Sequence, residues 1–232
     1  MIDIHCHLLY GADDGARTIE ESREMLRDAR EQGVTDIVCT PHYRYGMFPY
    51  RVDDIIYSFA ALQEEAEQIG VNVYLGCEYH ADAAMVYHFR CGACKTLADS
   101  DYVLTEYGHA VTQEQVRKNL QELIAAGYQP IIAHAERCEI FAGDFDALSE
   151  FRQMGAMVQI NANSVIGKDG VRYKKVSRQI LKRDLADIVA SDSHNMKNRK
   201  SHMKQAHDYI ADTYGPDRVW KLFMTNPGKV LE

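Results

Sequence analysis

Short apolar segments alternate with amphipathic segments along almost the whole chain, and this alternation constrains the fold more than any other feature. The apolar segments, such as 34–40 and 101–105, have the length and the β-branched character of buried strands. The segments between them have helical periodicity, and the first begins with Thr18 at an N-cap position and Glu21 at the matching capping-box position. Regular alternation of strands and helices predicts a parallel sheet covered by helices.

The number of strand–helix units narrows the architecture further. We count seven units of about 33 residues each over the 232 residues of the chain, one fewer than in the usual β/α barrel. The sequence therefore predicts a single α/β domain over residues 1–232 with a distorted (β/α)7, TIM-like barrel, and an open doubly wound sheet is the alternative. Neither a GxGxxG nor a GxxxxGK[ST] motif is present, so nucleotide binding of those two kinds is not expected.

Composition and charge disfavour several classes of function. The formal net charge is -8 at pH 7 without any long basic run, so we do not expect nucleic acid as a partner. No apolar run approaches the roughly 20 residues that span a bilayer, and the first residues lack the apolar core of a signal peptide. We therefore expect a cytoplasmic protein without membrane insertion, in which the six cysteines are reduced thiols.

Histidines and carboxylates follow the ends of the predicted strands. His5 and His7 end the first strand, where side chains two positions apart point to the same face. The carboxyl ends of the strands of a β/α barrel meet at one mouth, where functional residues gather. Nine residues are expected to converge there: His5, His7, Asp14, His42, Glu78, Glu106, His134, Asp192 and His194. The other five histidines are interpreted as surface or supporting residues: His80, His88, His109, His202 and His207.

Four carboxylates in one small volume cannot all ionise without a countercharge, and metal ions supply it. The nine residues therefore predict a polynuclear metal site. Mixed nitrogen and oxygen donors without a required thiolate fit Mn, Fe or Zn, and the spacing does not choose among them.

The same residues lie in motifs by which the chain resembles the polymerase-and-histidinol-phosphatase (PHP) superfamily, and within it the bacterial capsule-type tyrosine phosphatases of the CpsB/CapC group. The motifs are HCH at 5–7, DDG at 13–15, TPH at 40–42, RYGMF at 44–48, AHAER at 133–137 and SDSHN at 191–195, with Arg199 following. The resemblance spans nearly the whole chain and implies the PHP fold with three divalent metal ions, of which Mn is expected first, with Fe or Zn as alternatives.

The resemblance also implies roles for individual residues. It assigns three ligand sets, namely His5, His7, Glu78 and Asp192; Glu78, Glu106 and His134; and Asp14, His42 and His194. We hypothesise that a metal-activated hydroxide attacks phosphorus while Arg137 and Arg199 bind the phosphoryl oxygens, with surface salt bridges as their alternative role. Arg44, Tyr45 and Phe48 are expected to shape the substrate pocket, and aromatic packing within their loop is the alternative. Three divalent ions and four ligand carboxylates leave a site charge of about +2, which attracts a phosphomonoester dianion.

The activity implied by the resemblance is that of a protein tyrosine phosphatase. The expected substrate is the tyrosine-phosphorylated tail of a bacterial kinase that controls capsule or exopolysaccharide assembly. The alternative is a small-molecule phosphomonoesterase of the same superfamily, such as a histidinol-phosphate phosphatase. No cysteine has an arginine six positions later, so the C-x5-R loop of thiolate phosphatases is absent. The charged segment 18–32 is interpreted as a solvated helix face, with self-association as the alternative, and oligomerisation stays open.

Overall fold

The fold is built on parallel strands that follow one another around the molecule in chain order. A computed structural model describes residues 1–48, 50–108 and 110–232. The strands in these ranges are β1 (Ile2–Cys6), β2 (Asp36–Cys39), β3 (His42–Tyr43), β4 (Asn72–Leu75), β5 (Glu78–His80), β6 (Tyr102–Glu106), β7 (Gln129–Ile132), β8 (Met157–Asn161) and β9 (Ile188–Ala190). The pairings between these strands are all parallel, so the predicted parallel α/β fold is confirmed.

The strands form one curled arrangement with two interruptions. The order is β1-β2-β4 in one sheet and β3-β5-β6-β7-β8-β9 in the other. β2 leads into β3 across residues 40–41, and β4 leads into β5 across residues 76–77. A parallel bridge between Cys6 and Ser193 connects the end of β1 with the segment after β9. The sequential order contains no switch point of the kind that defines the doubly wound alternative.

Helices connect the strands, and local sequence explains several of their ends. They are α1 (Ile19–Glu31), α2 (Val52–Ile69), α3 (Met85–Arg90), α4 (Gln113–Ala125), α5 (Phe145–Gln153), α6 (Ala162–Ile166), α7 (Val171–Lys182), α8 (Met203–Tyr214), α9 (Pro216–Trp220) and α10 (Asn226–Gly228). Thr18 caps α1 as predicted, because its hydroxyl accepts a hydrogen bond from the Glu21 amide at 3.3 Å. The predicted capping box is wrong in its second half, because the Glu21 carboxylate accepts from the Arg17 amide instead. In the part of the chain that the model describes, no helix combines the length and apolar character of a membrane span.

Apolar side chains cover both faces of the strands. One buried cluster joins β1, β2, β6, β7 and β9 through residues such as Ile4, Val38 and Leu104. A larger cluster packs strand residues against helix residues such as Leu26 and Phe151. Burial of both faces is typical of parallel sheets. These two clusters form the apolar core on which the strands and helices pack.

Candidate metal centre

Strand β1 brings two histidines into the centre of the site. His5 and His7 are fully buried, and their Nε2 atoms lie 3.2 Å apart. Cys6, between them, packs in the outer cluster with the helices, as the predicted alternation requires. The register of β1 against β2 shifts between Asp3 and Cys6, and such a bulge redirects side chains near functional sites. The imidazoles of His5 and His7 therefore point to the same side of β1.

Glu78, the first residue of β5, lies among four imidazoles. Its Oε1 is 3.4 Å from His5 Nε2 and 2.7 Å from His134 Nε2. Its Oε2 is 3.3 Å from His7 Nε2 and 2.9 Å from His42 Nδ1. A carboxylate in this position can bridge two cations through its two oxygens.

The four remaining predicted ligands surround this core. Asp14 Oδ1 lies 3.5 Å from His194 Nε2, and His194 Nδ1 lies 3.5 Å from Asp192 Oδ1. Glu106, at the end of β6, places Oε1 at 3.8 Å from His134 Nε2. The structure thus brings all nine sequence-predicted residues together, with Glu78 and His42 at the first positions of β5 and β3.

The donor atoms form four overlapping groups, and within each group they lie within 4.8 Å of one another. The groups are His7, Asp14, His42 and His194; His5, Glu78 and His134; His5, His7 and Asp192; and His42, Glu78 and Glu106. Each group contains at least three donors of the kinds that bind divalent transition metals. The third predicted ligand set lies complete within one group, whereas the second set is divided between two groups. That Glu78 bridges two metal ions therefore stays a prediction.

Several buried polar atoms at this mouth have no hydrogen-bond partner. They are His42 Nδ1, Glu78 Oε2 and His194 Nε2. The first two lie 2.9 Å apart, but their orientation does not make a hydrogen bond. A buried polar atom without a partner costs about 1–3 kcal/mol. Because a cation bound to these lone pairs would satisfy them, the residues fit divalent metal ions.

The neighbouring charges shift the pKa values of these groups in opposite directions. Burial alone would lower the pKa of His134, but the hydrogen bond and the charge of Glu78 outweigh it and raise the pKa to about 9. Burial and the nearby charge of His7 lower the pKa of His194 to about 4. Despite burial, the charges of His5 and His42 hold the pKa of Glu78 well below its usual range. At neutral pH the site therefore combines a neutral, ligand-ready His194 with a His134 that must release a proton to bind a metal.

The loop after β1 contains a supporting carboxylate that the predicted ligand set omits. Asp13 Oδ2 accepts hydrogen bonds from His7 Nδ1 at 2.7 Å and from the His42 amide at 2.9 Å. Its Oδ1 accepts from the Gly15 amide at 2.9 Å. Gly15 itself is required for close packing, because a Cβ there would overlap the His7 carbonyl oxygen. Because His7 donates to Asp13 through Nδ1, a neutral His7 carries its lone pair on Nε2, the atom that faces His5 and Glu78.

Both predicted arginines lie at the site, where they contact Asp192. Arg137 Nη1 donates to Asp192 Oδ2 at 2.9 Å, and its Nη2 donates to Asp169 Oδ2 at 3.1 Å. Arg199 Nη2 donates to both Asp192 oxygens at 3.0 and 3.2 Å. These arginines and the charge of His5 hold the pKa of Asp192 far below its usual range despite burial. Sequence reasoning missed Asp169, which lies in a loop without a motif.

The predicted substrate loop forms a turn above His42. Arg44 and Phe48 are joined by an antiparallel bridge, and the Phe48 ring stacks on the His42 ring with centroids 5.0 Å apart. The Tyr45 side chain is 90% exposed, so it is not part of an aromatic cluster within the loop. The loop therefore both packs on a predicted ligand and presents an aromatic ring to solvent.

A cleft of about 330 Å³ opens beside the donor cluster. Its walls are Arg44, His80, Glu106, Tyr107, Gly108, His134, Arg137, Cys138 and Tyr173. His80 Nδ1 lies 2.9 Å from Glu106 Oε2, which agrees with its interpretation as a supporting residue. Tyr173, which sequence reasoning missed, places its ring 5.8 Å from the Arg137 guanidinium. His109 lies outside the described residues, so its interpretation stays a prediction.

Comparisons with known proteins identify the family of this chain. Residues 1–232 match the family model described as capsular polysaccharide synthesis, CpsB/CapC. The chain is 34% identical over 238 residues to tyrosine-protein phosphatase CpsB of Streptococcus pneumoniae, with 100% of this chain and 98% of that protein covered.

Two solved structures place the fold. The first comes from work on YwqE of Bacillus subtilis and CpsB of Streptococcus pneumoniae, which are described as unique metal-dependent tyrosine phosphatases. It matches with a TM-score of 0.93 and 30% identity, and the match covers 100% of this chain and 94% of that chain. Histidinol phosphate phosphatase of Lactococcus lactis shares the fold, with a TM-score of 0.60 and 14% identity over 97% and 95% of the two chains. The full-length family match and the close relatives lead to one conclusion: this chain belongs to the CpsB/CapC family of capsular polysaccharide synthesis.

Proposed function

We propose that this protein is a metal-dependent protein tyrosine phosphatase that hydrolyses phosphotyrosine on a bacterial tyrosine kinase of capsular or exopolysaccharide synthesis. The observation that carries the proposal is the convergence of nine predicted metal ligands beside a cleft lined by Arg137. The names of the relatives supply the phosphotyrosine substrate, and the family description supplies the connection with capsule synthesis.

The finer architecture belongs to the same proposal. Seven strand positions, with β2 continued by β3 and β4 continued by β5, form a distorted (β/α)7 barrel in one domain over residues 1–232. The nine predicted ligands hold three divalent ions at the carboxyl ends of its strands, with Mn first and Fe or Zn as alternatives. When bound, such ions lower the pKa of a coordinated water and neutralise charge on the phosphoryl oxygens.

The guanidinium of Arg137 is held between two carboxylates. Asp192 and Asp169 each accept from one Nη atom of Arg137, so the guanidinium plane is fixed from two sides. Its buried Nε has no hydrogen-bond partner. The Arg137 side chain is partly exposed where it lines the cleft, and a planar guanidinium there suits a phosphoryl oxygen. Arg199, which also contacts Asp192, adds a second positive charge.

The substrate loop suits a protein substrate. Arg44 lines the cleft beside Arg137, whereas the exposed ring of Tyr45 stands ready to contact residues flanking a phosphotyrosine. Phe48 keeps the loop on His42 by ring stacking. Tyrosinate, with a parent pKa near 10, is a fairly good leaving group, so we assign no dedicated general acid. The cytoplasmic location and any self-association through α1 stay predictions.

The first test compares two substrates on one preparation. Metal-stripped protein is reconstituted with Mn, and initial phosphate release is measured on a phosphotyrosine peptide and on histidinol phosphate. The proposal expects a strong preference for the peptide, and a preference for histidinol phosphate would replace the tyrosine phosphatase with the small-molecule alternative.

A second test separates metal from thiol chemistry. Burial raises the pKa of the Cys138 thiol to about 11, and the Cys6 thiol is shifted in the same direction, so neither is a ready thiolate. Chelation should abolish activity and alkylation of the exposed Cys91 should leave it intact. The reverse pattern would contradict a metal-dependent mechanism.

A further inference from the structure

Strand β8 supplies none of the nine predicted metal ligands, yet it places two amides beside them. Gln159 and Asn161 are both completely buried. Val158 and Ile160, which alternate with them, pack in the outer apolar cluster with the helices. Because side chains alternate along a strand, the two amides share the opposite face. A buried amide pair in this position needs partners, and the partners are predicted ligands.

The two amides form a continuous chain of hydrogen bonds. Gln159 Oε1 lies 2.8 Å from the His134 backbone nitrogen and 3.1 Å from His5 Nδ1. Gln159 Nε2 donates to Asn161 Oδ1 at 2.8 Å, and Asn161 Nδ2 donates to Asp192 Oδ2 at 2.8 Å. The relay thus contacts three predicted ligands, each on a different segment of the chain.

One backbone group fixes the direction of every bond in this relay. The His134 N–H can only donate, so the Gln159 atom that faces it must be the oxygen. Gln159 Nε2 then faces Asn161, which must turn its own oxygen towards it and its nitrogen towards Asp192. The same Gln159 oxygen also faces His5 Nδ1. Because this oxygen can only accept a hydrogen bond, His5 Nδ1 must carry the proton and donate it. A neutral His5 then carries its lone pair on Nε2, the atom that faces His7 and Glu78.

We infer that Gln159 and Asn161 are positioning residues of the metal centre, which set the tautomer of His5 and the orientation of Asp192 from a strand that binds no metal itself. This inference rests on the metal site of the proposed function. The relay also holds His134, whose backbone has a φ of 29°, an unusual value for a residue other than glycine. Residues behind metal ligands commonly orient them in this way.

The test measures metal binding rather than turnover. Metal-stripped protein is titrated with Co²⁺, whose visible absorption reports both affinity and coordination geometry. Gln159→Met keeps the side-chain length but removes the acceptor and the donor, so we expect the tightest Co²⁺ binding to weaken about 10- to 100-fold and the absorption bands to change. Asn161→Leu removes only the contact with Asp192 and the acceptor for Gln159, and it should weaken binding in the same range. Either variant is sufficient if the other does not fold.

Two further variants separate positioning from general destabilisation. Gln159→Glu keeps an acceptor for His5 and for the His134 N–H, so it should bind Co²⁺ more tightly than Gln159→Met. Asn226→Leu removes another buried amide, which donates to the Asp187 carbonyl at 2.8 Å before the start of β9. It should lower the free energy of unfolding without changing Co²⁺ affinity or the spectrum.

Each outcome decides the inference. Wild-type affinity and spectrum in a folded Gln159→Met or Asn161→Leu variant would overturn it, as would an equal loss of affinity in Asn226→Leu. No advantage of Gln159→Glu over Gln159→Met would overturn the role of the Gln159 oxygen. Failure of the proposed function is distinguishable, because a protein that does not hydrolyse phosphotyrosine can still lose Co²⁺ affinity in these variants.

Discussion

Replacement of Asp13 by asparagine perturbs the support behind two predicted ligands without a change of shape. The two Asp13 oxygens accept three hydrogen bonds, from His7 Nδ1, from the His42 amide and from the Gly15 amide. An asparagine has a single oxygen, so its NH₂ group must face at least one of these donors. If the oxygen takes the position that serves His7 and His42, the Gly15 amide loses its partner.

The expected magnitudes follow from this count. One buried donor left without an acceptor, together with the loss of a charge-assisted bond to His7, lowers the free energy of unfolding of the metal-free protein by about 1–3 kcal/mol. The Nε2 lone pair of His7 also becomes less basic, because an amide replaces the carboxylate behind it. Loss of such a partner weakens metal binding about 10- to 100-fold, which corresponds to about 1.4–2.8 kcal/mol.

Asp187 offers a closely matched control. Its carboxylate also accepts three hydrogen bonds, two from Arg152 and one from the Val158 amide. The Asp187 side chain is 10% exposed, and that of Asp13 is fully buried. It precedes β9, whereas the site lies beyond the other end of that strand. Asp13→Asn and Asp187→Asn are compared by urea unfolding and by Mn²⁺ titration followed through the EPR signal of free Mn²⁺. Both should lose stability, but only Asp13→Asn should lose Mn²⁺ affinity, and equal affinities in the two variants would refute the reasoning.

Two further predictions concern the cleft and the protons of the site. Arg137→Ala should lower kcat/KM for a phosphotyrosine peptide by about 100-fold at a Mn²⁺ concentration that saturates both proteins, so that the lost contact with Asp192 does not limit the rate; unchanged turnover would remove Arg137 from the proposed phosphate site. Because Glu78 raises the pKa of His134 to about 9, this imidazole carries a proton at pH 7 in the metal-free protein, and Mn²⁺ binding must release it. Calorimetry in buffers of different ionisation enthalpy should therefore detect proton release, and affinity should rise between pH 7 and 9, whereas a flat profile would contradict the assigned protonation.

Sequence periodicity predicted the positions of most elements because their ends carry local signals. Segment 52–69 has helical periodicity in the sequence and is followed by Gly70; it forms α2, Val52–Ile69, which ends at Gly70 in the left-handed conformation. Thr112 and Gln115 form a complete capping box at α4. The equivalent pair at α1 does not, because the Glu21 carboxylate binds the amide and the guanidinium of Arg17 instead. The capping-box pattern covers only the N-cap residue and the three that follow it, so it does not reveal that Arg17, one residue earlier, can bind the Glu21 carboxylate.

The interruptions of the sheet could not be predicted from apolar runs alone. The apolar run 71–77 predicts a single strand, but the structure ends β4 at Leu75 and begins β5 at Glu78. A Cβ on Gly76 would lie 2.7 Å from Leu97 Cδ2, so this glycine permits a close approach from a distant segment. The consequence is functional, because the break places Glu78 among the imidazoles.

The nine predicted ligands were found from sequence because they end strands and lie in recognisable motifs, whereas the groups that hold them have no such signal. Gln159 and Asn161 lie in an otherwise apolar strand that carries no motif. Only the alternation of amide and apolar residues along this strand could have indicated that both amides face the site.

Their importance follows from the backbone of the ligands. His134 and Asp192 have φ values of 29° and 51°, and a non-glycine residue in this region costs about 1–3 kcal/mol unless its surroundings enforce it. The His134 N–H donates to Gln159, the Asp192 N–H donates to the His5 carbonyl, and Asn161 holds the Asp192 carboxylate. Since these bonds belong to the chain itself, the geometry of the ligands depends on β8 as much as on the strands that carry them.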